Sequence, residues 1–124
     1  IRYADVLLMY AEVLNEVDGP SAGLKYLNLV RERAGLSKIE SDAVTTRNVF
    51  RTYLEKERRL ELAFENQRWF DLLRWGKAIE ETEWDFYAGY TQQINKLKDY
   101  QLILPIPQSV IDNNPGVITQ NPNY

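Results

Sequence analysis

The chemically richest part of the chain is residues 57–76, ERRLELAFENQRWFDLLRWG. Glu57 and Glu61 stand one helical turn apart in it, and two carboxylates on one face are the groups that a glycosidase uses as acid and as base or nucleophile. Glu83 and Asp85 are an alternative pair of carboxylates for the same chemistry. Because the chain has no histidine and no cysteine, only carboxylates, lysines, tyrosines and hydroxyls remain for catalysis.

A helical wheel favours a structural interpretation of the first pair. Glu57 and Glu61 fall in the centre of an apolar stripe, and buried carboxylates are costly unless they are paired and hydrogen-bonded. The stripe consists of Phe50, Tyr53, Leu54, Leu60 and Phe64. Arginine is the natural partner because it bonds a carboxylate through two parallel N–H groups. Arg31 is the first candidate for that partner, and Arg68 and Arg74 are the next candidates.

The same stretch is rich in arginine, yet its arginines are matched by carboxylates. The whole chain has a net charge of −3 and a pI near 5.0, so no basic field attracts nucleic acid. The missing cysteines and histidines also remove the commonest zinc ligands, and no cofactor or metal site is expected. Trp69 and Trp75 are predicted to be core residues, since aromatic side chains on a helical turn more often fill a core than bind a ligand.

The elements that must position these residues are helices. The apolar pattern predicts a first helix from about Arg2 to Glu16 and a second from Pro20 or Ser21 to Gly35, joined by the turn signal at residues 18–20. Together, residues 1–36 form a helical hairpin of the tetratricopeptide kind. The first helix is apolar nearly all round, which predicts an exposed patch in this chain alone. The patch contains Val6, Leu7, Met9 and Tyr10. A helix of that kind must be covered on every side, so we expect the sequence to be the C-terminal piece of a larger protein.

The rest of the chain predicts a helix pair followed by irregular structure. Thr45 or Thr46 caps a third helix that runs to about Glu65, and Asn66 breaks it because asparagine tolerates the left-handed backbone. A fourth helix is expected over residues 67–77, so that the helix pair occupies residues 45–78. Residues 79–124 are expected to be a variable loop and an extended, proline-containing tail. The predicted fold class is all-α.

Four blocks in fixed order resemble the C-terminal region of the SusD/RagB family. They are RYADVLLMYAEVLNE at residues 2–16, LKYLNLVRERAGL at 24–36, ERRLELAFENQRWFDLLRWG at 57–76 and LPIPQSVIDNNPGVITQNPNY at 104–124. The resemblance covers nearly the whole chain, and four ordered blocks are far more specific than one short motif. The family usually has glycine after AFE, where this chain has Asn66.

The resemblance implies a tetratricopeptide-like helical fold and a binding protein rather than an enzyme. Members of the family are lipoproteins on the outer face of the outer membrane, which bind glycans or other nutrients and close over a SusC-type TonB-dependent transporter. The anchor would lie outside this chain, which has no cysteine. No family motif places a glycan contact here. Four aromatic residues are candidates for a sugar platform: Trp84, Phe86, Tyr87 and Tyr90.

Two other classes of function stay open at this point. A tetratricopeptide-like scaffold would bind a protein partner in its hairpin groove. A helical glycoside hydrolase would use Glu57 and Glu61, or Glu83 and Asp85, and would have to turn glycans over. The nutrient-binding interpretation is the one that the ordered blocks favour.

Overall fold

The computed structural model describes residues 1–82 and 97–124, and the regular structure within those ranges is entirely helical. The helices are α1 (Tyr3–Val17), α2 (Pro20–Arg33), α3 (Arg47–Glu61), α4 (Arg68–Arg74), α5 (Ala78–Thr82) and α6 (Gln108–Asp112). Single 3₁₀ turns occur at Ser41–Ala43 and Asp99–Leu102. The predicted all-α class is confirmed. None of the described helices has the length and apolarity needed to span a membrane.

The chain divides into two compact units, Ile1–Arg68 and Trp69–Tyr124. The first unit is built on the predicted hairpin of α1 and α2. Gly19 makes the turn with φ at +101°, a backbone conformation that residues other than glycine rarely adopt. Pro20 then starts α2 at a position where an N–H would have no partner within the helix, so its missing N–H costs nothing. The predicted hairpin is therefore present, with its turn chemistry as expected.

The end of α2 is closed by the glycine that the sequence singled out. Gly35 has φ at +75°, its N–H donates to the Glu32 carbonyl at 3.0 Å, and the Leu36 N–H donates to the Arg31 carbonyl at 2.9 Å. These two bonds form a Schellman motif, which satisfies carbonyls that the helix itself leaves free. The following loop is then fixed by Asn28, whose buried amide exchanges two hydrogen bonds with the backbone of Ile39.

The third helix packs on the hairpin and completes the core. Thr46 caps α3, because its hydroxyl accepts from the Val49 N–H at 3.2 Å. The core residues are Ala4, Leu8, Ala11, Leu24, Leu27, Val30, Ile39, Val44, Phe50 and Leu54. Phe50 reaches α2 at Gly23, where a Cβ would lie 2.7 Å from the ring and 2.4 Å from the Ala11 carbonyl oxygen. Only glycine therefore fits at this crossing.

The end of α3 differs from the prediction. The helix stops at Glu61 rather than at about Glu65, because both Phe64 and Asn66 have the left-handed backbone, with φ at +65° and +59°. The Asn66 conformation agrees with the expected helix break, whereas that of Phe64 was not anticipated. Phe64 is fully exposed, and Leu60, still within α3, exposes 59% of its surface, so neither belongs to the buried stripe that the wheel predicted.

In the second unit, α4 (Arg68–Arg74) is shorter than the predicted helix over residues 67–77, and it buries other residues than the prediction named. Gly76 closes it, because its N–H donates to the Leu73 carbonyl at 3.1 Å and the Lys77 N–H to the Leu72 carbonyl at 2.9 Å. The buried residues of α4 are Asp71 and Leu72. Trp69 exposes 39% of its surface, so its prediction as a core residue is corrected: it lies about 110° around the helix from the centre of that buried face.

The residues predicted as loop and extended tail include most of α5 and all of α6. The remainder of the described tail is largely irregular and folds back on its proline segment. The Gln120 side chain accepts from the Ile106 N–H at 2.8 Å and donates to the Ile106 carbonyl at 2.9 Å. Asn121 donates to the Leu104 carbonyl at 2.8 Å, and the Tyr124 hydroxyl donates to the Ile103 carbonyl at 2.9 Å. The extended segment thus obtains from side chains the hydrogen bonds that a neighbouring strand would supply.

Candidate functional site

The carboxylates that could do chemistry are on α3, and the first of them is held by α2. Arg31 Nη1 donates to Glu57 Oε2 at 2.8 Å, and the Glu57 side chain is 4% exposed. Arg31 is also fixed from its other edge, where Nε donates to the Ser37 carbonyl at 3.0 Å. Arg31 is the partner that the sequence analysis ranks first.

Glu61 is held by two arginines, and neither was predicted to be its partner. Arg33 Nη2 lies 2.6 Å from both of its carboxylate oxygens, and Arg2 Nη1 donates to Oε1 at 2.8 Å. The Glu61 side chain is 8% exposed. Arg2 also pairs with Glu65 at 2.6 Å, so the start of α1 is tied to the end of α3. The Glu65 and Glu61 carboxylates raise the pKa of Arg2 above its already high value.

Another ion pair that was not predicted joins α1 to α3 inside the first unit. Arg58 Nη1 donates to Asp5 Oδ1 at 3.0 Å, and the two side chains are 4% and 10% exposed. The signal available in the sequence was Asp5, the one charged residue between Tyr3 and Ala11. Arg74, a lower-ranked candidate, pairs instead with Asp71 of its own helix at 2.9 Å.

This arrangement fits a structural role for the carboxylates. A glycosidase pair needs an open space between its two carboxyl groups for the sugar. Here the oxygens of Glu57 and Glu61 are already engaged in charge-assisted bonds with arginines. Within residues 1–82 and 97–124 no cluster of acidic side chains has an arrangement suited to a metal ion.

A groove lies beside this network, between α1 and α2. It has a volume of about 530 Å³ and is lined by Arg2, Tyr3, Ala4, Leu7, Leu29, Val30 and Arg33. Its floor is apolar, and its two cations are those already bonded to Glu61. Farther along the same two helices, Tyr10 and Tyr26 meet edge to face with ring centroids 4.6 Å apart. The groove is a surface for an apolar occupant rather than for an anion.

The aromatic candidates for a sugar platform lie outside the described residues. These are Trp84, Phe86, Tyr87 and Tyr90, and the pair Glu83 and Asp85 also falls there. Among the predicted aromatic core residues, Trp75 is half-buried and packs its ring against the Arg74 guanidinium at 4.5 Å. Trp69 is more exposed than Trp75, as described above.

The hairpin of α1 and α2, with α3 stacked on it, defines the class: a protein of the tetratricopeptide-like helical fold. The comparisons with known proteins identify the family. The SusD family matches residues 1–124, and the chain belongs to that family.

The relatives agree with this assignment over most of the chain. SusD-like protein P25 of Formosa agariphila is 38% identical over 118 residues, which are 94% of this chain and 22% of the relative. SusD-like protein P2 of the same organism is 33% identical over 132 aligned residues, covering 100% of this chain and 25% of the relative. The chain thus spans about a quarter of the length of the curated relatives that it matches.

Solved structures show the same fold. A SusD superfamily protein from Parabacteroides distasonis is 34% identical, with a TM-score of 0.76 over 99% of this chain and 26% of its own. A SusD superfamily protein from Bacteroides vulgatus is 30% identical, with a TM-score of 0.79 over 100% of this chain and 27% of its own.

Proposed function

We propose that this chain is part of a nutrient-binding protein of the bacterial cell surface, which captures a glycan or another nutrient for uptake through a SusC-type TonB-dependent transporter. The observation that carries the proposal is the match of the SusD family to all of residues 1–124. In this proposal the protein is held on the outer face of the outer membrane by a lipid anchor outside the chain, and it is not an enzyme.

The geometry supports binding over catalysis. Glu57 and Glu61, the best-placed acid and base in the described chain, are bonded to Arg31, Arg33 and Arg2. Freeing either carboxylate for a sugar would leave an arginine without its partner, which is costly for a pair held inside a protein. We therefore assign Glu57, Glu61 and Arg31 a structural role. We assign the same role to Trp75, which is half-buried and packs against Arg74.

Equilibrium binding of the complete protein to a panel of polysaccharides tests the proposal. We expect saturable binding to one glycan class, no turnover of that glycan, and co-purification with the transporter. Turnover that Glu57→Gln abolishes would establish a hydrolase instead. A protein that binds no glycan or other nutrient and captures only a protein partner would be the tetratricopeptide-like scaffold, the alternative that the groove between α1 and α2 favours.

A further inference from the structure

Helices α1 and α3 run antiparallel, and polar contacts fix their register, which is their relative position along the helix axes. Near the start of α1, the Asp5 carboxylate accepts from Arg58 Nη1 at 3.0 Å. Near its end, Arg47 Nε donates to the Asn15 carbonyl at 2.9 Å, and the Asn15 amide donates to the Arg47 carbonyl at 3.4 Å. Asp5 and Asn15 are ten residues apart, and Arg47 and Arg58 are eleven apart. Both contacts therefore belong to one register, since each residue adds about 1.5 Å to a helix.

The connection between the two helices does not by itself determine this register. The turn at residues 18–19 holds α1 directly against α2, whereas α3 follows only after residues 34–46. The core side chains of α1 and α3, among them Leu8 and Leu54, belong to one apolar cluster, and apolar contacts are not directional. Apolar packing alone therefore discriminates little against a register shifted by one helical turn, about 5.4 Å along the axis.

The Asp5–Arg58 pair does discriminate, because of the residues one turn away from the arginine. Residues four apart share a helix face, so a shift of one turn replaces Arg58 opposite Asp5 by either Leu54 or Leu62. The Asp5 and Arg58 side chains are 10% and 4% exposed, so either shift would separate two buried charges. Breaking a buried ion pair in this way is strongly destabilising.

The contact of Arg2 with the end of α3 is less selective. Arg2 donates to Glu61 at 2.8 Å and pairs with Glu65 at 2.6 Å. A shift of one turn would bring Glu57 or Glu65 to the position of Glu61, so Arg2 would meet a glutamate in either direction. The Arg2 side chain is also 41% exposed, and an exposed ion pair contributes little to stability.

The contacts at the other end of α1 are also less selective. Arg47 bonds the Asn15 carbonyl, and Arg51 bonds the Glu16 carboxylate. Arg47 and Arg51 are themselves one turn apart, so a shift brings one of them to the place of the other. An arginine would then still meet either Asn15 or Glu16, according to the direction of the shift. Of these contacts between α1 and α3, the Asp5–Arg58 pair is thus the one that both shifts break.

We propose that the Asp5–Arg58 pair sets the register of α3 against α1 and that it does so without adding to stability. A buried ion pair can often be replaced by apolar side chains of similar volume with no loss of stability, because removing two charges from water is costly. Such a pair selects one arrangement from several, as a single polar residue does in the apolar interface of a coiled coil. The proposal does not rest on the proposed function.

A distance between two spin labels measures the register. The chain has no cysteine, so Asp18→Cys and Lys56→Cys place nitroxide labels at two exposed positions, at the end of α1 and on α3. Double electron–electron resonance is recorded on the complete polypeptide that contains this sequence, made without other cysteines, and the parent should give one distance. Asp5→Leu with Arg58→Met, the apolar variant, should give a second distance that differs by up to about 5 Å, the rise of one helical turn. Its midpoint of urea unfolding should equal or exceed that of the parent.

Glu16→Gln with Arg51→Gln is the matched control, because it removes an exposed ion pair between the same two helices. This control should keep the single distance of the parent. A single, unchanged distance in the apolar variant would overturn the proposal and would assign the register to the close contact of Phe50 with Gly23. A lower urea midpoint together with that single distance would show that the pair contributes to stability alone.

A second variant tests the proposal should the apolar variant fail to fold. Arg58→Leu with Leu62→Arg moves the arginine by one turn along α3. The proposal expects the shifted distance between the labels, because α3 must then move by one turn for the transferred arginine to reach Asp5. The parent distance in this variant would refute the proposal.

Discussion

Arg31 of α2 and Glu57 of α3 form an ion pair of 2.8 Å in which the carboxylate is almost fully buried and the guanidinium is 21% exposed. The pair joins residues far apart in the chain across the packed face of the hairpin. Its burial separates it from the surface pair of Lys38 and Glu32, which lies at 3.0 Å with both side chains about half exposed. The two pairs provide a matched comparison.

Removing one member of the buried pair should be strongly destabilising. Arg31→Ala leaves the Glu57 carboxylate without its charged partner, and breaking a buried pair typically costs about 3–5 kcal/mol. Lys38→Ala, the control, should cost at most about 1 kcal/mol because exposed pairs contribute little. Urea unfolding followed by circular dichroism measures both. Equal costs for the two variants would refute the structural role of the Arg31–Glu57 pair.

Gly23→Ala should destabilise the first unit, against the usual trend for helices. Within a helix, alanine is normally favoured over glycine by about 1 kcal/mol. Here the new Cβ would lie 2.4 Å from the Ala11 carbonyl oxygen and 2.7 Å from the Phe50 ring. Relieving that clash requires backbone movement, so we expect a net loss of about 1–3 kcal/mol in the free energy of unfolding.

Ser21→Ala, at an exposed position in the first turn of α2, controls for helix propensity and should change stability by less than about 0.5 kcal/mol. Thermal unfolding of the two variants distinguishes the clash from propensity. If Gly23→Ala unfolds at a higher temperature than the parent chain, the close crossing of α1, α2 and α3 is not as described.

Asn66→Gly should stabilise the chain modestly. Asn66 holds the left-handed backbone with φ at +59°, and a glycine adopts that conformation without the steric cost of a Cβ. We expect the free energy of unfolding to rise by about 0.5–1 kcal/mol. The greater freedom of glycine in the unfolded chain offsets part of this gain. Asn66→Ala keeps the Cβ and loses the polar side chain, so it should destabilise. Opposite signs for the two variants in chemical unfolding would verify the left-handed turn, and a loss for both would contradict it.

Glu16 gives a pH-dependent contribution to stability. Its hydrogen bond from Arg51 lowers the pKa of the Glu16 carboxyl below 4.5 in the folded chain. A carboxyl with a lowered pKa stabilises the fold above its unfolded pKa, and that contribution is lost as the pH falls through its folded pKa. The stability difference between the parent chain and Glu16→Gln should therefore be largest near neutral pH and shrink in acid. A difference that grows as the pH falls would contradict the assignment.

The local signals in the sequence account for the parts of the fold that were predicted. The turn at Gly19, the Schellman glycine Gly35 and the cap at Thr46 each depend on neighbouring residues alone. The choice of Arg31 for Glu57 also followed from a simple pattern, because Arg31 shares a helix face with Leu24 and Leu27.

The predictions that were wrong or missing concern features that depend on how the helices pack against one another. Arg2 and Arg33 reach Glu61, and Arg58 reaches Asp5, only because three helix segments meet, and no spacing within one helix predicts such contacts. The helical period of the apolar residues does not show that Phe64 adopts the left-handed backbone. The predicted end of α3 at about Glu65 was therefore four residues beyond the observed end at Glu61. Trp69 was placed in the core by residue type, whereas α4 buries Asp71 and Leu72.

The folded-back conformation of the tail should depend on the side-chain amide of Gln120. Gln120 makes two hydrogen bonds with Ile106, at 2.8 and 2.9 Å, and its Oε1 also accepts from the Asn121 N–H. Gln120→Ala leaves the Ile106 N–H and carbonyl without this partner, which should cost about 1–3 kcal/mol for a partly buried pair. Gln108→Ala, which removes an exposed contact to Asp112, should cost less than about 0.5 kcal/mol. Amide hydrogen exchange at Ile106 measures the local effect: it should accelerate in Gln120→Ala and stay unchanged in Gln108→Ala. Unchanged exchange in both variants would show that the prolines, rather than Gln120, hold the segment extended.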